Sequence, residues 1–356
     1  MNSKKVELIQ HSPLLHFQWE QDGLPRMSEL RPKLNNFIKK QLSKVEPALF
    51  KHNEKLIENC FKENDTKNGY IAPYKLWITA EVNEPMLFHT QTSRDPNAVK
   101  GPYFADMKYV DATDYKRKHE KLTCRKGMIY QNISIEIKSW NEDLISLIEK
   151  ALDIMLLFEN FGARQSKGFG SFTVKDSAYV KNPKTWINNN DCIEACYCFS
   201  FKENKNWVYI LKTIEEGWKK IRGGVREDNK KMFETSKLYL YLLNNLPNFE
   251  TASASKLSYL RMLLGFASDG EYKKSDKTPV YALHKTKEAK RLSSPVRFKI
   301  IENKLYLFLM KIESFSFETN TPVTLPLTKS DEFNYIDFFK QSDTLKVFYN
   351  KYSPIK

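Results

Sequence analysis

No run of eighteen apolar residues occurs in the 356-residue sequence, so no segment is long and apolar enough for a spanning helix. The opening stretch, MNSKKVELIQHSPLL, has no continuous apolar core of the kind a secretory leader carries. No CxxC pair is present. The five cysteines, Cys60, Cys124, Cys192, Cys196 and Cys198, are odd in number, and no histidine pair accompanies them to complete a zinc site. Cys196 and Cys198 alternate inside ACYCFSF, where one strand face carries both as small buried hydrophobes. Asp106, Asp111 and Asp114 are loosely spaced and lack the glycine and final glutamate of a calcium loop. These absences predict a soluble, cytoplasmic protein with reduced thiols, no metal and no cofactor.

What the chain does have is positive charge. Lysine and arginine number 57 against 43 acidic residues, a formal net charge of +14. Such a surplus suits a polyanionic partner, because each phosphate contact releases counterions. A lysine-rich host proteome is the bland alternative. Hydrophobic residues at 41% and aromatics at 13% are the composition of a folded chain. The length suggests two domains of similar size.

Patterning orders the first half as β-α-β-β-α-β. Val6–Trp19 reads as a strand interrupted by a proline, and Ser28–Lys44 as a helix capped by Ser28 with Leu30, Leu34, Phe37, Ile38 and Leu42 on one face. Tyr74–Val82 alternates as a strand. Met128–Trp140 follows a long polar interval and aligns Ile133, Ile135 and Ile137. Asn141 caps a helix to about Glu159, whose stripe is Leu144, Ile148, Ala151, Met155 and Phe158, and a short strand covers Ser171–Lys175.

The second half repeats the order. Ile193–Phe201 is a strand, Trp207–Ile221 a helix, Pro295–Ile301 and Lys304–Ile312 two strands, Glu332–Gln341 a helix and Thr344–Tyr352 the last strand. The predicted class is α+β, with two tandem ferredoxin-like (RNA-recognition-motif-like) units at 1–182 and 190–356. The first carries a basic insertion at 87–127. The second carries a helical insertion at about 228–291. The proline- and asparagine-containing stretch between Val180 and Asn190 marks the boundary.

Between the capped helix and the next strand lies FGARQSKGFGS, residues 161–171. Gly162, Gly168 and Gly170 bracket Arg164, Gln165, Ser166 and Lys167. Glycines let backbone N–H groups approach a phosphate and permit the positive φ of an anion nest. Arg164 and Lys167 supply charge, and Phe169 either stacks a base or anchors the loop in the core. A P-loop is excluded, since it needs GxxxxGK[ST] after a strand, and a Rossmann fingerprint fails on the same context. An ordinary glycine-ended helix followed by a turn remains the plain alternative.

Helix, G-x-R-x-S-x-G-F-G-S and strand together resemble the signature of the RAMP superfamily of CRISPR-associated proteins. Ser12–Phe17 (SPLLHF) resembles the family's first strand, and Glu29–Phe37 (ELRPKLNNF) its first helix. Arg291–Lys299 (RLSSPVRFK) is similar to a segment in the second domain of the first subunit of the Cmr-type (type III-B) effector complex. Pro32 stands where many relatives have glycine, and no second glycine loop lies between Gln341 and Thr344.

The resemblance implies a subunit that binds CRISPR RNA or target RNA beside other effector subunits, without a membrane partner. Its implied RNA-facing residues are Gly162, Arg164, Gln165, Ser166, Lys167, Gly168, Phe169 and Gly170, with Arg31 and Lys33 in the first helix and Arg291, Arg297 and Lys299 in the second unit. The insertion resembles the family's thumb, in which Lys116, Arg117, Lys118 and Arg125 would follow an RNA backbone with a tyrosine stacking a base; a solvated surface loop is the alternative. A basic, glycine-ended segment at Lys219, Lys220, Arg222, Gly223, Gly224 and Arg226 reads the same two ways.

No catalytic residue is expected. The runner-up is a metal-independent RNA-processing endoribonuclease of the same superfamily, which would need one of His11, His16, His52, His89, His119 or His284 as general base. In that branch the glycine loop lies near the C-terminal end, whereas here it is mid-chain. A thumb aspartate such as Asp106 would matter only in a target-cutting relative. An assembly subunit that barely touches RNA is the third reading.

Overall fold

The computed structural model describes residues 1–15, 25–64, 69–82, 86–90, 107–109, 124–202, 205–222, 225–226, 233–234, 236–245, 272–273, 279–281, 296–311, 335–349 and 352–355. The first half contains β1 (Asn2–Gln10), β2 (Leu14–Leu15), α1 (Met27–Lys40), α2 (Leu42–Val45), α3 (Pro47–Cys60), β3 (Lys62–Asn64), β4 (Gly69–Ile71) and β5 (Tyr74–Val82). It continues through β6 (Met86–Thr90), β7 (Met107–Tyr109), β8 (Cys124–Met128), β9 (Tyr130–Ser139), α4 (Glu142–Phe158) and β10 (Phe172–Val174).

Four of these strands form one antiparallel sheet in the order β10-β1-β9-β5. Alternation decides its faces. Val6 pairs with Ile135 and Leu8 with Ile133, and all four are buried. Trp77 and Lys75, one residue out of phase with Leu76, are exposed. Strand β2 joins β8, β6 and β7, which belong to the insertion region, in a second small sheet.

Helix α4 begins as its sequence demands. The Asn141 side chain accepts the Leu144 N–H at 3.1 Å, and Glu142 and Asp143 sit in the first turn, where the helix dipole favours negative charge. Its burial is wider than one stripe: Ile145, Leu147, Leu152, Ile154, Leu156 and Leu157 are covered as well. A helix apolar on so much of its circumference belongs between two layers, and α4 contacts β1, β9 and β10 of its own sheet and β16 of the other.

The second half contains α5 (Ala178–Lys181), α6 (Pro183–Asn189), β11 (Ile193–Ser200), α7 (Trp207–Arg222), β12 (Val225–Arg226), β13 (Phe233–Glu234), α8 (Lys237–Asn245), β14 (Tyr272–Lys273) and β15 (Pro279–Tyr281). It ends with β16 (Val296–Ile301), β17 (Lys304–Met310), α9 (Tyr335–Lys340), α10 (Ser342–Lys346) and β18 (Tyr352–Pro354). Its main sheet is antiparallel in the order β16-β17-β11-β18. One face, with Ala195, Tyr197, Phe199, Leu305, Leu307 and Leu309, packs with Ile210, Ile214 and Trp218 of α7. The other, with Cys196, Tyr306, Phe308 and Met310, joins the core of the first sheet. The class is therefore α+β with antiparallel sheets, and the two halves share a core along their seam.

Several boundaries differ from the sequence reading. The stretch 180–190 is no plain linker: α5 and α6 occupy it, and Trp186 is wedged 6.3 Å from Phe158 and 6.0 Å from Phe308, ring centre to ring centre. Its proline serves as a helix first-turn residue, which fits a missing N–H. Ser28 lies inside α1 and caps nothing; Arg26 occupies the cap position without a side-chain bond. Helix α3 is absent from the sequence reading, because Ile57 is its one fully buried residue and its apolar stripe is correspondingly thin.

The last strand is misplaced too. Residues 342–346 are helical, and the strand is Tyr352–Pro354. Leu345 and Phe348, three apart, bury together in the second cluster, a spacing that a helical turn and an irregular strand both accommodate. Of the helical insertion at about 228–291, the described residues contain α8 and three short strands, β13, β14 and β15. Of the two cysteines read as buried on one strand face, Cys196 is a buried free thiol and Cys198 is half-buried; Cys192 is buried as well.

Candidate nucleic-acid interface

The 161–171 loop leaves α4 and folds back so that Asn160 bridges Ser171. Gly162, Gly168 and Gly170 all have positive φ, at 76°, 85° and 67°, and Arg164 joins them at 61°. Two of the glycines answer to close backbone approach. A Cβ on Gly162 would lie 2.3 Å from the Leu15 carbonyl oxygen, and one on Gly170 would lie 2.0 Å from that of Phe161. The approach is bonded: Ala163 N–H donates to Leu15 O at 2.6 Å and Gly170 N–H to Pro13 O at 2.8 Å. The SPLLHF and glycine-loop segments, both singled out in the sequence, are thus built against each other.

The loop also reaches the second half. Phe298 N–H donates to Ser166 O at 3.1 Å, and Lys167 forms a parallel bridge with Phe298, so the loop runs along the edge of β16. Asn160 Nδ2 donates to Gln165 O and Phe298 O, at 2.6 and 2.8 Å. Along β16, Arg297 and Lys299 pair with Phe308 and Tyr306, on the face turned toward the first half. Arg297 forms an ion pair with Glu159. Lys299 is fully buried, and its amine donates to Glu159 O at 2.9 Å and Phe172 O at 3.0 Å.

These placements sort the sequence candidates. The Lys299 amine is taken up by backbone carbonyls, and burial pushes its pKa well below the ordinary lysine value. Lys167 is 8% exposed, its amine 3.5 Å from the Trp218 ring centre, a cation–π contact. Phe169 lies in the second hydrophobic cluster, so of its two readings the structure places it as the anchor and not as a stacking platform. Arg31 donates to Ala72 O at 2.8 Å and lies over Tyr74. Arg164, Gln165 and Ser166 form the half-buried outer edge of the loop. Lys116, Arg117, Lys118 and Arg291 lie outside the described residues, and Arg125 falls in β8 with its side chain undescribed.

Three residues that sequence reasoning left out organise the site. Glu159 is held below the ordinary carboxylate range: burial pushes it up, but Arg297, then Lys33 and Lys299, outweigh that. Asn160 ties the loop to β16. Glu29 receives Gly162 N–H at 3.1 and 3.2 Å on its two oxygens, Gln165 Nε2 at 2.9 Å, and an ion pair with Lys33 at 3.0 Å. Lys33 in turn donates to Gln165 Oε1 and Asn160 O. The Glu29–Lys33 pair has helical i,i+4 spacing and is the one signal that was open to the sequence.

His11 is buried in the seam. Glu302 N–H donates to its Nδ1 at 3.1 Å, and its Nε2 lies 2.8 Å from Thr173 Oγ1. Burial, then the nearby Lys299, lowers its pKa to about 3. The unfolded chain takes up a proton near pH 6.5 and the folded chain does not, so stability present above that pH is lost as pH falls toward 3. Urea midpoints measured from pH 7 to pH 4 are expected to fall more steeply for wild type than for His11→Asn; parallel curves would contradict this placement. His52 is exposed on α3, and His16, His119 and His284 lie outside the described residues.

A family model described as the Cmr1 N-terminal domain matches residues 1–225, and one described as the Cmr1 C-terminal domain matches residues 212–351. No curated protein matches the sequence. Among solved structures, Cmr1 from Pyrococcus furiosus in its apo form is similar over 100% of this chain and 99% of its own, at 11% identity and a TM-score of 0.45. A chain of the type III-B Cmr-beta complex bound to cognate target RNA is similar over 86% of this chain and 94% of its own, at 11% identity and a TM-score of 0.44. Likenesses at that level fix neither a site nor a ligand.

Proposed function

The chain belongs to the Cmr1 family, and from that premise we propose that it is an RNA-binding subunit of a type III-B CRISPR effector complex, holding CRISPR RNA or the target RNA paired to it. The observation that carries the reading is the outer edge of the glycine loop: Arg164, Gln165 and Ser166 are its half-buried residues, beside the partly exposed Lys33, in a chain of net charge +14. The bonding behind that edge fixes its backbone, so little ordering is lost when a phosphate docks. The insertion lysines would extend the track.

On this reading the main sheet of each half is a ferredoxin-like unit, the two in tandem at 1–182 and 190–356, each interrupted by an insertion. Strand orders β10-β1-β9-β5 and β16-β17-β11-β18 support it, since each is the antiparallel order of a β-α-β-β-α-β unit. The remaining subunits of the complex are its protein partners, and the cytoplasm its location. Among the described residues no helix is long and apolar enough to cross a membrane.

A holding role is favoured over a nuclease by the mid-chain position of the glycine loop, and His11, next to the loop's docking segment, is no free base, since both its ring nitrogens are engaged. Fluorescence anisotropy with single-stranded RNA across a salt series tests the reading. Arg164→Ala combined with Lys116→Ala, Arg117→Ala and Lys118→Ala is expected to weaken binding at least tenfold. The slope of log affinity against log salt should flatten by about 0.7 for each phosphate left without its cation. Unchanged affinity and slope would remove RNA contact from the proposal, and cleavage of repeat RNA that is lost on changing one histidine would replace it with the nuclease.

A further inference from the structure

The acceptor groups around the glycine loop contain an anomaly. A loop whose residue types suit a phosphate already encloses an anion, and that anion is a side chain of the same protein. The Glu29 carboxylate collects the Gly162 N–H on both oxygens, the Gln165 amide and the Lys33 ammonium. A backbone N–H from a positive-φ glycine, a side-chain amide and a lysine are the donor set that phosphodiester oxygens take. The pair is not sealed: the side chains of Lys33 and Glu29 are 27% and 24% exposed. Glu29 sits in the first turn of α1, so its carboxylate can swing to solvent without moving the helix and still complement the helix dipole there.

The geometry points to an anion-exchange site: the pocket formed by Gly162, Gln165 and Lys33 binds a phosphate group, and Glu29 is the resident occupant that phosphate must displace. The inference rests on the RNA-binding reading for its physiological ligand, but the pocket's anion selectivity is separable from it. Displacement also confers discrimination. An isolated phosphate brings too few partners to expel a tethered carboxylate, whereas a strand held at several points supplies its phosphate at high effective concentration.

Two probes separate the sources of phosphate. In the first, inorganic pyrophosphate is titrated into isotope-labelled full-length chain while the Gly162 amide resonance is followed. In Glu29→Gln, which keeps the acceptor shape and loses the charge, the resonance is expected to shift at pyrophosphate concentrations at least tenfold lower than in wild type. Adding Lys33→Met should abolish the response. A Gly162 amide indifferent to pyrophosphate in Glu29→Gln overturns the proposal.

In the second, single-stranded RNA affinity is measured against salt. Glu29→Gln is expected to bind roughly tenfold tighter with a slope steeper by about 0.7, the signature of one further phosphate neutralised. Weaker binding by Glu29→Gln means the carboxylate only props the loop, and overturns the exchange. Wild type without RNA affinity, combined with a positive pyrophosphate result, sinks the RNA reading and leaves the anion site standing. If Glu29→Gln does not fold, Glu29→Asp, one methylene short, is expected to show a smaller gain of the same sign, and no gain counts against the site.

Discussion

Replacing Glu159 by alanine is expected to destabilise the folded chain by about 3–5 kcal/mol, the usual cost of breaking a buried ion pair by removing one partner. The carboxylate meets Arg297, and Lys299 and Lys33 contribute to holding it ionised. Arg297 and Glu159 are only 20% and 18% exposed, so water recovers little of what the arginine loses. The loss should be shared across the seam, because Glu159 is on the first half and Arg297 on the second. Urea unfolding of Glu159→Ala, Arg297→Ala and the double variant tests it. The double variant is expected to be less destabilised than the two singles summed. Strict additivity, or a Glu159→Ala effect below about 1 kcal/mol, would show that the pair is solvated and weak.

Gly170→Ala is the second large effect, on the order of 4 kcal/mol, within the range reserved for strain at a special backbone position. A left-handed φ costs a non-glycine residue about 1–2 kcal/mol. The rest is collision. The new methyl would lie 2.0 Å from the Phe161 carbonyl oxygen, which belongs to backbone that cannot step aside. Opening that gap stretches Phe161 N–H to Gly170 O and Gly170 N–H to Pro13 O. Gly168→Ala supplies the contrast. Its φ is also positive, but the nearest atom is the Ile214 Cδ1 at 3.2 Å, the far end of a flexible side chain. Its cost should stay near the conformational value of about 1–2 kcal/mol. Thermal denaturation of both variants decides, and equal drops would mean that the approach at Gly170 is relieved cheaply.

Local chemistry was readable where it was self-sufficient. The alternation of YKLWITAEV gave β5 its limits, and Asn141 with Glu142 and Asp143 marked the start of α4. β11, α7, β16 and β17 followed from apolar pattern and the Glu302–Asn303 turn. The misplaced elements are those whose pattern fits two structures, as Leu345 and Phe348 do.

At the site, the location of the loop was legible and the division of labour within it was not. Lys167, Lys299 and Phe169 have surface-ligand chemistry by type, yet whether a lysine faces solvent or a tryptophan depends on a distant helix, the one that carries Trp218. The i,i+2 spacing of Arg297 and Lys299 placed both on one face of β16 but could not say that the face was inward. The i,i+4 spacing of Glu29 and Lys33 was open to the sequence, but the loop partners of Glu29, Gly162 and Gln165, come from the other end of the first half.

The bridge between Lys167 and Phe298 also covers part of a sheet edge. Strand β16 ends its sheet, and the unpaired rim of a sheet is where foreign strands attach. Here the rim is occupied over part of its length by Ser166 and Lys167, with Asn160 taking up the neighbouring carbonyl. The glycine loop is therefore a guard rail as well as a contact surface. Any change that unseats it uncovers a hydrophobic strand, VRFKII, to intermolecular pairing, and loss of binding at this loop would be accompanied by self-association.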